Sequence, residues 1–109
     1  MIVHFGAGIP SFRESWDPSD IDYVWFAWDD KLNGATITNS EWTLPTGFSL
    51  ISEQQDASVT DEDGVTYSNA NGAMISTTLT SGRQIVANKV TLSDGRVYER
   101  SCRFRLKQL

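Results

Sequence analysis

The sequence predicts an all-β fold, an antiparallel sandwich or barrel, on three observations. Apolar and polar residues alternate at period two, β-branched and aromatic runs recur between turn signals every ten residues or so, and sustained apolar spacing of three and four residues is absent. Helices need that longer spacing to form a buried stripe, whereas short alternating runs bounded by Gly, Pro, Asn and Asp bury one face of a sheet.

Residues 1–20 read as an arm that leads into the domain. They begin with Phe5-Gly-Ala-Gly-Ile-Pro10 and end with Trp16-Asp-Pro-Ser-Asp20, where Pro18 blocks regular pairing. A first strand is expected over 22–28. Its Val24, Phe26 and Trp28 share one face and Tyr23 and Trp25 the other, so the strand is either central or meets a partner. Asn33-Gly34 supplies a turn, and 35–44 follows as a strand carrying Ile37 and Trp42. After Pro45-Thr-Gly47, short strands are expected at 48–52, 57–60 and 65–68, the last two joined by a polar hairpin at Asp61-Glu-Asp-Gly64. Asn69-Ala-Asn-Gly72 reads as another turn, followed by strands at 73–79, 84–92 and 96–106. Ser93-Asp-Gly95 between the last two is a strong hairpin signal because Asp-Gly tolerates positive φ at low cost, so residues 84–106 form one long hairpin.

With 109 residues there is room for one core, and a chain of this size buries roughly 65% of the surface that its unfolded form exposes. Four Trp, five Phe and three Tyr supply enough apolar area to order it without staples. Cys102 is the single cysteine, so an intrachain disulfide and a thiolate metal cluster are both excluded; between Ser101 and Arg103 it reads as a small buried hydrophobe. A net charge of −5 repels nucleic acid. The basic residues Arg96, Arg100, Arg103, Arg105 and Lys107 gather near the C-terminus with alternate spacing, which reads as a solvated strand face. Met1 to Pro10 has no signal-peptide pattern and no stretch approaches the ~20 apolar residues of a membrane span, so a soluble protein without a membrane partner is expected.

Chemistry finds no foothold. His4, the one histidine, lies in the arm, too far from a supported site to serve a serine or cysteine nucleophile. The acids Asp17, Asp20, Asp29, Asp30, Asp61, Asp63 and Asp94 have turn-like neighbours, where short carboxylates cap backbone amides. The Asp61 turn lacks the spaced downstream carboxylate of a calcium loop, and Gly6-Ala-Gly8 opens no helix as a dinucleotide fingerprint must. No catalytic residue, metal ligand or cofactor site is therefore assigned. Trp28, Ile37, Trp42 and Val90 are the expected structural core, with Trp42 between the two sheets. Phe5, Ile9, Phe12, Trp16 and Trp25 form a candidate protein interface, with core packing the alternative for Trp16 and Trp25.

Asp22-Tyr23, Trp28, Leu32, Ile37, Ser40-Glu-Trp-Thr-Leu-Pro45, Gly47, Asn88-Lys-Val-Thr-Leu-Ser-Asp-Gly-Arg96 and Glu99-Arg-Ser101 together resemble small bacteriophage virion proteins of the fibre-tail adaptor type, over about residues 17–106. Those proteins combine a Pro-x-Asp-like opening, a Tyr and Trp strand, a Ser-x-Trp-Thr-x-Pro strand and a closing Gly-Arg-x-x-x-Arg-Ser hairpin. The resemblance implies a single immunoglobulin-like antiparallel β-sandwich over 17–109 with an extended N-terminal arm over 1–16. It implies a non-enzymatic structural protein joining tail and tail fibres, in contact with other tail, fibre or capsid proteins. Such a protein works in a symmetric homo-oligomer or multi-copy array, in a virion assembled in the host cytoplasm. A capsid decoration protein and a carbohydrate- or receptor-binding module using Trp25 or Trp16 are the alternatives. The chain departs from its shorter relatives by a longer arm and an extra segment near 54–72. Truncation of Trp42 to Ala is expected to lower unfolding stability by about 3–5 kcal/mol in denaturant titration, and a loss below about 1 kcal/mol means that the core is drawn wrongly.

Overall fold

The computed structural model describes residues 2–3, 16–61 and 63–108. The fold is all-β, a sandwich of two sheets. The strands are β1 (Ile2–Val3), β2 (Asp22–Ala27), β3 (Ile37–Thr43), β4 (Phe48–Thr60), β5 (Thr66–Thr77), β6 (Gly82–Leu92) and β7 (Val97–Leu106), and a single helical turn, α1 (Asp29–Leu32), follows β2. One sheet has the order β1-β2-β5-β4 and the other β3-β6-β7, the arrangement of an immunoglobulin sandwich. All described strand pairs are antiparallel except β1–β2, in which Ile2 and Val3 run parallel to Trp25 and Phe26.

Alternation decides which side chains turn inward. Val24 and Phe26 from the first sheet, and Trp28 just after β2, meet Val86, Val90, Leu92, Cys102, Phe104 and Leu106 from the second. Full burial of each large apolar side chain contributes roughly 1.5–3 kcal/mol. Ile37 also lies in this core, whereas Trp42 is half-buried, edge-on to Phe26 at 5.5 Å, which puts its truncation cost toward the low end of the range above. Trp16, expected at an interface, is 5% exposed and packs 5.8 Å from Phe104. Its backbone accepts from Lys107 and donates to Arg105, so it runs alongside the end of β7. Apolar area decides the matter, since an indole against Phe104 and Leu106 gains more from the core than from water.

The 93–95 hairpin forms as the sequence predicts, with Gly95 at φ 91°. Arg96 beyond it donates to the carbonyls of Lys31 and Leu32, which caps the C-terminal end of α1. The backbone N–H of Arg96 and its guanidinium hold the Asp94 carboxyl below the usual carboxylate range.

Two expectations fail between residues 53 and 72. The short strands expected at 48–52 and 57–60 are one 13-residue strand, β4, interrupted by register shifts. Asn69-Ala-Asn-Gly72, expected as a turn, is interior to β5. Gly72 is required there because the ring of Trp25 lies across it, and a Cβ would sit 2.5 Å from the indole. Asn71 is required because it enters a buried network.

That network joins the sheets. The Asn88 Oδ1 accepts from Trp28 Nε1 at 2.9 Å and from Asn71 Nδ2 at 3.1 Å, while Asn88 Nδ2 donates to Ser40 Oγ at 2.9 Å and to the Glu41 carbonyl at 3.0 Å. All four hydrogen-bonding positions of one buried amide are used. Asn71 also donates to Ser40 Oγ at 3.2 Å and accepts from the backbone N–H of Asp56 at 3.0 Å. Asp56 is held at φ 57°, so the network also fixes the irregularity in β4. The substitution Asn88→Ala removes the acceptor of the Trp28 indole and of one Asn71 amide hydrogen, and each buried hydrogen bond lost without replacement costs about 1–3 kcal/mol. A loss of about 3 kcal/mol in urea unfolding is expected, and a loss under about 0.5 kcal/mol shows that the network does not hold the sheets.

Candidate interaction surfaces

Of the five residues expected at an interface, Phe5, Ile9 and Phe12 lie outside the described residues. Trp16 is in the core. Trp25 is on the outer face of the first sheet, half-buried, stacked on Tyr23 with centroids 5.1 Å apart and laid over Gly72. Hydrogen bonds with Ser52 and Gln54 tie the Tyr23 hydroxyl to β4 and lower the pKa of its phenol. The indole therefore fills the outer face over a glycine rather than standing free.

The carboxylates near turns do the work expected of short acids. Asp61 Oδ1 accepts the N–H groups of Asp63 and Val65, and its Oδ2 accepts the Tyr67 hydroxyl. Burial, then the charge of Asp61, pushes the Tyr67 phenol up. Asp29 reaches across to the N–H groups of Ser68 and Asn69, which fastens α1 to the start of β5. Among the described residues no group of three His, Cys, Asp or Glu is placed to hold a metal ion, and no helix is long and apolar enough to cross a membrane.

The surfaces that sequence reading missed are set by strand order. As the outermost strand of its sheet, β4 has almost no buried residue, and Leu50 and Ile51 are 40% and 55% exposed. On the second sheet, the inward turn of Val86, Cys102, Phe104 and Leu106 sends Arg83, Ile85, Arg103 and Arg105 outward. Neither surface contains a conspicuous motif, and the available signals were the polar run Ser52 to Asp56 and the alternate basic spacing of 103–107.

The residues that carry the resemblance are scaffold. Trp28, Ser40 and Asn88 meet in the buried network and Arg96 caps α1. Among known proteins, residues 17–105 match the family model described as podophage GP4 fiber-tail adaptor protein gp77. No curated protein and no solved structure matches. The matched segment takes in β2 to β6 and all of β7 but its last residue.

The one thiol is placed where it cannot react. Burial pushes Cys102 up to about 12, and a nucleophilic thiolate needs the opposite shift. An unfolded thiol ionises near pH 8.5, so stability present below that pH is lost as pH rises from about 9 toward 12. A disulfide-exchange dye at pH 8 is expected to label the native protein at least a hundredfold more slowly than the denatured chain, and equal rates would show an exposed thiol.

Proposed function

The chain belongs to the podophage GP4 fibre-tail adaptor family, and on that footing we propose that it is a structural protein of a phage virion that joins the tail to its fibres. The match over residues 17–105 carries this reading. The architecture supports it: a sandwich whose Asn71 and Asn88 brace the sheets and whose Asp29, Asp61 and Arg96 cap turns and strand ends can present its outer faces to partners. The chain acts by contact with other tail or fibre proteins, without enzymatic activity, in multiple copies, in a particle assembled in the host cytoplasm.

A capsid decoration role uses the same kind of contact at a different address. The carbohydrate-binding reading is weakened by Trp16 in the core and by Trp25 spread over Gly72, since a sugar platform needs an open ring face. Particles made without this chain are expected to have filled capsids and tails but no attached fibres, with the chain traced at the tail–fibre junction in electron-microscopic maps of intact particles. Fibres attached in its absence overturn the proposal, and density on the capsid faces replaces it with decoration.

A further inference from the structure

The two sheets carry opposite charge. Residues 82–107, which contain β6 and β7, hold seven of the nine Lys and Arg of the chain against two carboxylates, Asp94 and Glu99. Residues 17–32 and 48–77, which contain β2, α1, β4 and β5, hold ten of the fourteen Asp and Glu against one cation, Lys31. On the outer face of the second sheet the charges are themselves sorted. Toward the hairpin end Lys89 is in register with Glu41 on one side and Glu99 on the other, a balanced row. At the other end Arg83 is in register with Arg105, and Ile85, 48% exposed, is in register with Arg103.

Like charges directly opposite across an antiparallel pair destabilise it. Among the described residues none of Arg83, Arg103 and Arg105 has an ion-pair partner to relieve that repulsion. An apolar residue flanked by unneutralised guanidinium groups is the composition of an interface centre with a charged surround. The matching surface is on the same molecule but on the other sheet. Edge strand β4 exposes Leu50 and Ile51 beside Glu53. Because one patch lies on the second sheet and the other on the edge of the first, a single chain cannot bring them together.

We propose that the Arg83–Ile85–Arg103–Arg105 face of one copy docks on the Leu50–Ile51–Glu53 edge of a second copy, in a head-to-tail contact that repeats from copy to copy. Different patches meeting at each contact generate a ring if the rotation closes. The net charge of −5 does not forbid it, because over distances beyond about 8–10 Å salt screens the overall repulsion while the apposed charges act at contact. The inference stands on these charges and not on the adaptor role, which survives if copies are held apart by other virion proteins.

The test is sedimentation of the full chain across a concentration series at low and high salt, with circular dichroism as the folding control. Wild type is expected to associate, more weakly at 0.5 M than at 0.05 M salt, as screened charge pairs require. The double variant Arg103→Glu with Arg105→Glu is expected to lose association at least tenfold, and so is Glu53→Arg with Ile51→Arg. Mixing the two variants restores it, because each reversed patch then meets its complement. Ile85→Ser, which changes no charge, weakens association without altering its salt dependence. A wild type that stays monomeric, variants that associate as wild type does, a mixture that fails to recover, or salt-sensitive binding to duplex DNA without self-association each overturns the proposal.

Discussion

The structure depends on one buried amide. Asn88 is fully enclosed between the sheets, where an unpaired polar group is costly, yet its four hydrogen-bonding positions reach Trp28 and Asn71 on one side and Ser40 and the Glu41 carbonyl on the other. Immunoglobulin sandwiches of antibodies place a disulfide between the corresponding strands of the two sheets. Here the residue that follows β2, Trp28, is tied instead to Asn88 of β6. A directional bond of this kind fixes which residue faces which, a specificity that apolar contacts alone lack, because Val and Leu pack nearly as well after a small shift. The same network reaches Asp56 through Asn71, so the inter-sheet tie and the irregularity of β4 are one device.

How far the sequence could be read follows from where the determining interaction lies. The Asp94-Gly95 hairpin and the Asn33-Gly34 turn were legible because the backbone demand and the residue that meets it are adjacent, with φ 91° at Gly95 and 46° at Asn33. Asn69 to Gly72 misled for the opposite reason. Its turn-forming composition answers demands from distant residues: Asn71 is polar for Asn88 and Ser40, and Gly72 is bare for Trp25. Local propensity favours a turn, tertiary pairing wins, and nothing within the segment reveals it. Trp16 belongs to the same class, since its core position depends on β7, ninety residues away. The pairing of Ile2 and Val3 with β2 likewise left no pattern in a segment whose glycines suggest a free arm.

Of the candidate surfaces, the basic one was legible in the spacing of β7, and it reads as a solvated face until the register is known. Register turns a list of arginines into a like-charge pair, Arg83 against Arg105, beside a balanced row at Lys89. The difference lies in cross-strand distance, which a linear sequence does not contain.

Edges explain why association should proceed through side chains. An open sheet edge offers unpaired backbone groups to any extended chain, and natural proteins blunt that hazard with bulges, charges, proline or cover. Sheet by sheet, the described edges are treated in this way. In the first sheet, β1 covers β2 while β4 is bent by register shifts and carries Glu53 and Asp56. In the second, the backbone of Trp16 lies against the end of β7, and β3 shifts register between Ile37 and Asn39 and stops before Pro45. With backbone pairing obstructed along so much of its perimeter, the domain is protected from indiscriminate strand addition. What it leaves open are patches of sorted charge around exposed Ile85, Leu50 and Ile51, whose geometry selects a partner rather than accepting any strand.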